Sequence, residues 1–244
     1  MKKMIAVLLL LCMLPVLSAC GGQDVKGSVS QITETPAAAE PAPAEPAAEP
    51  TPAEPAAEEP AAPETEEELQ IGSVSGGRYE NAYFGFGCEL GESWSIADEE
   101  TLAGMIGLTA EAIGGDYAEE ILKADMFYDL YAESAEEMAS VNIVIQKIGT
   151  AALFSEEQII DASLDSAKAQ MEAAGFSDIT MEKNSLTFAG SEHLGVKISA
   201  VVQGVQIYEQ QVYFKKGEHM AIITVASYLT DRAADYCELF YTVS

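Results

Sequence analysis

The sequence predicts an α+β domain in which helices flank an antiparallel sheet on both faces, preceded by a signal peptide and a disordered linker. Apolar residues that alternate with polar ones, joined by tight turns, are typical of antiparallel hairpins and dominate the second half of the chain. Stretches with helical spacing lie at the start, middle and end of the domain. Helices in those places are expected to cover the faces of the sheet.

The chain begins with the pattern of a secretory signal peptide, which we assign to residues 1–19. Lys2 and Lys3 precede an unbroken apolar run of eleven residues, 4–14. That run is too short to span a membrane, because a spanning helix needs about 20 apolar residues. The segment Leu17-Ser18-Ala19-Cys20 resembles the bacterial lipobox, whose cysteine receives a diacylglyceryl group and becomes the first residue after cleavage.

We therefore expect a lipid anchor, with palmitate-type acyl chains, on Cys20. Two acyl chains on one residue are enough for stable anchoring, so the predicted place of the domain is at the cell membrane, facing outside the cytoplasm. The alternative is an ordinary signal peptide cut near Ala19, with Cys20 incidental. Which membrane would carry the anchor stays open.

Residues 20–71 are predicted to form a lipidated amino terminus and a disordered linker. Residues 36–63 repeat Pro, Ala and Glu, and residues 34–68 carry 11 acidic and no basic side chains. Such a segment cannot bury enough surface to fold. Its prolines favour an extended chain of about 3.1 Å per residue, so about 35 residues reach on the order of 100 Å. That length suits a spacer between membrane and domain; a ligand for proline-binding modules is the alternative.

The charge of the chain is strongly acidic, with 12 basic and 40 acidic residues and a net charge of −28. Residues 72–244, the predicted globular domain, hold 28 acidic and 9 basic residues, a net charge of about −19. Such a field repels nucleic acid, so binding through a basic footprint is excluded. An acidic surface can attract cations or basic partners, or can simply be solvated.

Within the domain, the first half is predicted to mix short strands and helices. Extended structure with a turn at Asn81 covers residues 79–90, and Asp98 begins an acidic helix start. The other elements are identified by the spacing of their apolar residues: helices over 101–107 and 117–123, and strands over 126–131 and 141–148.

A helix over residues 155–175 is the clearest element of the sequence. Ser155 and Gln158 fit a capping box, in which the hydroxyl and the amide satisfy otherwise unpaired backbone N–H groups. Gly175 is a favourable residue just past the helix end. The apolar stripe at helical spacing consists of Ile160, Leu164, Ala167, Met171 and Ala174.

The remainder of the chain is predicted to be rich in strands. Gly204 and residues 215–218 provide turns between extended segments. Asp231 is expected to cap a final helix that runs towards Tyr241. The strands themselves are placed at 194–202, 205–214 and 220–227.

The run Tyr79-Glu-Asn-Ala-Tyr-Phe-Gly-Phe-Gly-Cys-Glu-Leu90, followed by Trp94, resembles the start of PsbP-like domains. The later order of a strong central helix, three strands and a terminal helix also fits that family, over residues 78–243. The resemblance implies the Mog1/PsbP-like α/β/α sandwich and a role in binding, since PsbP supports the photosynthetic oxygen-evolving complex and Mog1 binds a small GTPase. Gly91 stands where the family usually has a proline, and no family binding site transfers residue by residue.

Two cysteines fall within the domain. Cys88 lies on an alternating strand, and Cys237 is placed on the final helix. An exported protein can oxidise its thiols, so a disulfide between Cys88 and Cys237 is one expectation. Two buried, reduced thiols are the other, because free cysteine is commonly buried as a small apolar residue.

The sequence contains no spacing that points to catalysis, a metal site or a cofactor. His193 and His219 lack a partner at ligand spacing. Adjacent carboxylates, such as residues 119–120 and 156–157, point in different directions on a helix and make poor catalytic pairs. The aromatic residues between 79 and 131 are explained mainly by core packing, although an exposed subset could line a partner surface.

We therefore expect a non-enzymatic binding module at the cell envelope, with an envelope protein or a small ligand as its partner. An enzyme or enzyme accessory acting on envelope material is the first alternative. A small-solute-binding lipoprotein is the second.

Overall fold

Antiparallel strands dominate the computed structural model, which describes residues 68–108 and 117–243. The signal peptide, Cys20 and most of the linker lie outside the described residues. The strands are β1 (Ser73–Ser75), β2 (Arg78–Asn81), β3 (Phe86–Glu89), β4 (Ser95–Ile96), β5 (Met126–Ser134), β6 (Ala139–Lys147), β7 (Phe176–Phe188), β8 (Ser191–Val202), β9 (Val205–Lys216), β10 (His219–Tyr228) and β11 (Phe240–Thr242).

The helices are short apart from one. They are α1 (Glu99–Met105), α2 (Tyr117–Ile121), α3 (Glu156–Ala173) and α4 (Ala233–Tyr236), with 3-10 turns at Gly149–Leu153 and Cys237–Leu239. In the part of the chain that the structure describes, no helix has the length and apolar character needed to cross a membrane.

The described strands form two sheets. A four-stranded sheet has the order β1-β2-β3-β11, and a seven-stranded sheet has the order β4-β5-β6-β10-β9-β8-β7. Neighbouring strands in both sheets run antiparallel. The predicted antiparallel sheet is therefore confirmed.

The large sheet buries both of its faces, and alternate residues of β10 illustrate how. Met220 and Ile222 pack in a core with Ile160 and Met171 of α3. The alternate residues Ala221, Ile223 and Val225 pack in a second core against the small sheet. Because successive side chains of a strand point to opposite faces, each β10 residue is committed to one core by its register.

The predicted layer of helices on both faces is not confirmed. Helices α1 and α3 lie on one face, where Leu102 of α1 packs against Tyr128 of β5. The opposite face is covered mainly by the four-stranded sheet, through Tyr79, Phe86 and other residues of that core. The small sheet takes this place because β2 and β3 form a hairpin with apolar side chains on one face, and β3 also pairs with β11 at the end of the chain.

Helix α3 follows its sequence signals closely. The Ser155 hydroxyl accepts from the backbone N–H of Gln158 at 3.3 Å, and the Gln158 amide oxygen accepts from the N–H of Ser155 at 3.0 Å, so the predicted capping box is present. Gly175 has a φ of 92°, in the left-handed region that favours glycine after a helix end.

Several elements differ from the sequence-based expectation, among them the short strands β1 and β4, which were not predicted. Strand β7 was not predicted, because at the edge of the sheet its side chains are mostly exposed and polar and give little apolar signal. The predicted final helix towards Tyr241 is wrong beyond Tyr236, where a 3-10 turn follows, and its N-cap is Arg232 rather than the predicted Asp231. After this turn the chain forms β11, in which Tyr241 pairs with Gly87 of β3, a contact between residues too distant in sequence for local spacing to indicate.

Glu209 is a buried carboxylic acid on the helix-covered face of β9. Its cross-strand neighbours are Ile198 and Ala226, and it is 2% exposed. No donor among the described residues bonds to its carboxyl group. Burial raises its pKa to about 7, because an apolar surrounding disfavours the charged form.

This burial gives a pH dependence with a defined sign. The folded-state pKa of Glu209 lies above its ordinary value of 4.5, so its contribution to stability is fully present below about pH 4.5 and is lost as the pH rises through about 7. In the wild type this decrease in the free energy of unfolding amounts to up to about 3 kcal/mol. We expect it to be absent in Glu209→Gln, because glutamine has no proton to lose. Urea unfolding at pH 5 and pH 8 measures it.

The matched control is Glu182→Gln, the same substitution at an exposed strand position. If the free energy of unfolding of Glu209→Gln still falls between pH 5 and pH 8 as much as that of the wild type, Glu209 is not the group that causes the pH dependence.

Candidate functional site

The structure describes two of the three cysteines singled out in the sequence. Cys20 lies outside the described residues. Cys88 on β3 and Cys237 after α4 are buried in the same apolar core, and both are free thiols. Burial raises the pKa of each thiol to about 12, so both stay protonated at neutral pH and are poor nucleophiles.

Thiol titration separates the two states predicted for these cysteines. For a chain that starts at residue 20 and carries Cys20→Ala, we expect almost no reaction of the folded protein with an aromatic disulfide reagent. Two thiols should react once the protein is unfolded in guanidinium, because both cysteines are then exposed. Detection of no thiol in the unfolded, unreduced protein would instead establish a disulfide between Cys88 and Cys237.

The two histidines are half-buried against aromatic rings. The imidazole of His193 lies 4.0 Å from the ring of Phe214, and that of His219 lies 6.3 Å from Tyr83, measured between ring centroids. Burial lowers the pKa of both histidines. Among the described residues, no three His, Cys, Asp or Glu side chains come together in a way that could hold a metal ion.

The aromatic residues between 79 and 131 serve the core and do not form an exposed surface. Tyr79, Tyr83, Phe127, Tyr128 and Tyr131 are buried. Phe86 is buried as well, and the remaining three, Phe84, Trp94 and Tyr117, are half-buried and pack against the same core as Tyr79. A partner surface on the domain must therefore be sought among other residues.

A buried carboxylate, Asp129, joins the two sheets. It lies at a β-bulge, where the register of β5 against β6 shifts between Tyr128 and Leu130. Such a bulge re-aims a side chain, and here the Asp129 carboxylate meets the small sheet. Oxygen Oδ2 accepts from the Tyr79 hydroxyl at 2.5 Å and from the Asn81 amide at 2.8 Å.

The same carboxylate holds the point where the linker enters the domain. The backbone N–H of Gly72 donates to both carboxylate oxygens, at 2.8 and 3.0 Å. Asn81 also donates to the carbonyl oxygen of Gln70, and Ile71 packs against the core. Burial raises the pKa of Asp129, and the three donors act in the opposite direction. We call Gly72, Tyr79, Asn81 and Asp129 the linker junction.

Removing the carboxylate is expected to destabilise the domain and release its first residues. Asp129→Ala leaves the Tyr79 hydroxyl and the Asn81 amide buried without their acceptor, which costs about 3 kcal/mol of unfolding free energy. The backbone amide of Gly72 should then exchange its hydrogen faster. Urea unfolding and hydrogen exchange measure both effects, with the exposed Asp165→Ala as control. A loss no larger than in Asp165→Ala would mean that the junction does not hold the sheets together.

The strongest candidate for a contact surface lies at one end of the large sheet. Leu153 is 88% exposed and Phe154 is 54% exposed, at the end of the 3-10 turn that follows β6. The ammonium group of Lys215 donates to the carbonyl oxygens of Ala152 at 2.7 Å and Phe154 at 2.5 Å. The turn that carries the two apolar side chains is thus fixed to β9.

Two further lysines lie at the same end of the large sheet. Lys147 ends β6 and lies opposite His219 in the sheet. Lys216 donates to the carbonyl oxygen of Tyr83 at 2.7 Å, and its ammonium group lies 4.8 Å from the centroid of the Tyr83 ring. We define the sheet-end tip as Lys147, Leu153, Phe154, Lys215 and Lys216.

The sequence did not single out this tip. Phe154 directly precedes the helix cap Ser155, where an apolar residue commonly packs against the fourth helical residue, here Ile159. Ile159 is indeed buried at 3% exposure, whereas more than half of Phe154 faces solvent. The consecutive pair of large apolar residues before the capping box was the available signal, but Lys215, which bonds the carbonyl oxygens of this turn, lies far along the chain.

Comparisons with known proteins add a structural neighbour. No protein-family model matches the chain, and no curated protein matches it. The structure is similar to the solution structure of cyanobacterial PsbP (CyanoP) from Synechocystis sp. PCC 6803, with a TM-score of 0.42 and 10% sequence identity. The likeness covers 75% of this chain and 99% of that chain. At this identity, no residue of that protein can be equated with the linker junction or the tip.

Proposed function

We propose that this chain is an envelope lipoprotein whose β-rich domain is a non-enzymatic binding module, held at a membrane by a diacylated Cys20. The observation that carries the proposal is the linker junction. Asp129 bonds the first residues of the domain to its core. A domain that is attached through its amino terminus is therefore fixed to its linker by a buried carboxylate. Such an attachment suits a module that is presented on a tether.

The distribution of reactive groups supports a binding role. Both thiols of the domain are buried and protonated, and both histidines pack against aromatic rings. The buried carboxylate Asp129 is occupied by three donors. These side chains stabilise the fold, and the acidic, solvated surface is available for recognition.

Lipidation is tested by metabolic labelling with an alkyne analogue of palmitate. The wild-type chain should incorporate the label and sediment with membranes, because its two acyl chains anchor it stably. Cys20→Ala should do neither, while Cys88→Ala retains both properties. Equal labelling of wild type and Cys20→Ala would overturn the lipid anchor.

The binding role is tested by crosslinking and capture of the lipidated protein in its own host. One envelope component should be enriched with the full chain and lost when residues 72–244 are deleted. If the deletion captures the same material, the linker and not the domain is responsible, and the binding-module proposal fails.

A further inference from the structure

We propose that Glu209 anchors a binding site for a small organic amine, on the face of the large sheet that α3 covers. The protonated amino group of the ligand pairs with the Glu209 carboxylate, and a hydroxyl or carbonyl oxygen of the ligand accepts from the amide of Gln211. The site is formed by the folded domain alone. It goes beyond the proposed interaction with an envelope component and does not depend on it.

The first argument is that the buried carboxyl group of Glu209 has no bonding partner in the part of the chain that the structure describes. Its side chain is 2% exposed, and burial alone accounts for its raised pKa. The buried Asp129 carboxylate, by contrast, is bonded by three donors. An ionised carboxylate in apolar surroundings needs an opposite charge or hydrogen bonds. At neutral pH, a cation from solution can supply what Glu209 lacks.

The course of α3 places the middle of this helix over the middle of β9. The helix begins beside one end of β9, where the Glu156 carboxylate accepts from the N–H of Lys215 at 3.3 Å. It ends just before Phe176, which pairs with Val202 near the other end of β9. Glu209 lies between these two ends, with its side chain on the helix-covered face.

The helix does not satisfy Glu209 at this crossing. The side chains that it buries near its middle include the small Ser163 and Ala167. The hydroxyl of Ser163 donates to the carbonyl oxygen of Ile160 at 2.8 Å, so its one proton is already used. Short side chains favour this crossing as the place for a small ligand, because they reach less far towards the strand.

A second polar side chain lies next to Glu209. Gln211 is buried on the same face of β9, since alternate residues of a strand point the same way. Its amide oxygen accepts from the Tyr213 hydroxyl at 2.7 Å, which leaves its N–H groups to donate. An acceptor atom on a ligand completes this arrangement.

Solvent reaches this face beside Gln211. Thr224 lies opposite Gln211 on β10, the central strand of the large sheet, yet it is only half-buried. Its neighbours on the same face, Ile222 and Ala226, are buried. The cover that the helices provide is therefore incomplete at Thr224, and a small molecule can approach Glu209 and Gln211 from there.

The chemistry of these groups selects an amine. An ammonium group carries the charge opposite to the carboxylate and also donates hydrogen bonds to it, and such charge-assisted bonds are strong. A metal ion of the calcium or magnesium type requires several oxygen ligands, whereas Gln211 offers N–H donors here. The acidic domain, with 28 acidic and 9 basic residues over 72–244, also concentrates cations near its surface.

Binding of an amine should depend on pH, because only the ionised form of Glu209 attracts it. With a pKa of about 7, the ionised fraction decreases about tenfold for each pH unit below 7. The other titratable side chains that face Glu209 are Tyr213, Tyr228 of β10 and Glu156 of α3, while β8 presents the apolar Ile198. Burial raises the pKa of Glu156 as well, so the variant Glu209→Gln, which keeps Glu156, separates the two carboxyl groups.

The test is a titration with ethanolamine of a chain that starts at residue 20 and carries Cys20→Ala, followed through the backbone amide resonances of the isotope-labelled protein. At pH 8 we expect saturable shifts at Glu209, Gln211, Thr224 and Ala226. At pH 5 the affinity should be lower by about tenfold or more. Ethylene glycol, in which a hydroxyl replaces the ammonium group, should produce no such shifts.

Two variants and a control locate the site. Glu209→Gln should lower the affinity for ethanolamine at pH 8 by about tenfold or more, because the opposite charge is lost. Thr224→Leu, which extends a side chain over the opening, should lower the affinity as well. The matched control Glu182→Gln, at an exposed strand position, should bind like the wild type. Urea unfolding confirms that each variant is folded.

Four results would overturn the proposal: no saturable shifts with ethanolamine, equal shifts with ethylene glycol, equal affinity in Glu209→Gln, or equal affinity at pH 5 and pH 8. Shifts confined to exposed acidic residues would also reject it, since ethanolamine would then only screen the surface. If this test fails while one envelope component is still captured in the host, the proposed function stands without an amine site. If the capture fails while ethanolamine binds, the amine site stands without that function.

Discussion

The arrangement of the two sheets depends on one buried carboxylate. Removing the charge of Asp129 from water is unfavourable, and its raised pKa reflects that cost. Three donors compensate: the Tyr79 hydroxyl, the Asn81 amide and the Gly72 N–H. All three belong to the segment that enters the domain, so the charge can be stabilised only when that segment lies on the large sheet. The need to hydrogen-bond the buried Asp129 carboxylate thus fixes the position of the four-stranded sheet more strictly than apolar packing alone would.

Sequence patterns predicted the elements whose causes are local. The capping box of Ser155 and Gln158 and the apolar stripe of α3 need only neighbouring residues, and the hairpin strands β8 to β10 follow from alternation and turns. Strand β7 was missed because it lies at the edge of the sheet, where most of its side chains are exposed and polar, so its few apolar residues give a weak pattern. Strand β11 was not predicted because it is defined by its pairing with β3, which lies far away in the sequence. The second sheet layer depends on the same long-range pairing.

The candidate sites were harder to predict than the fold, for a related reason. Asp129 has an ordinary position in an apolar strand, and only the bulge turns it towards Tyr79. Phe154 would be expected to pack against α3, whereas the turn that presents it is bonded to Lys215 of β9 as well as by its own main-chain hydrogen bonds. In both cases the deciding contact joins residues more than 45 positions apart. Local spacing carries no information about such contacts.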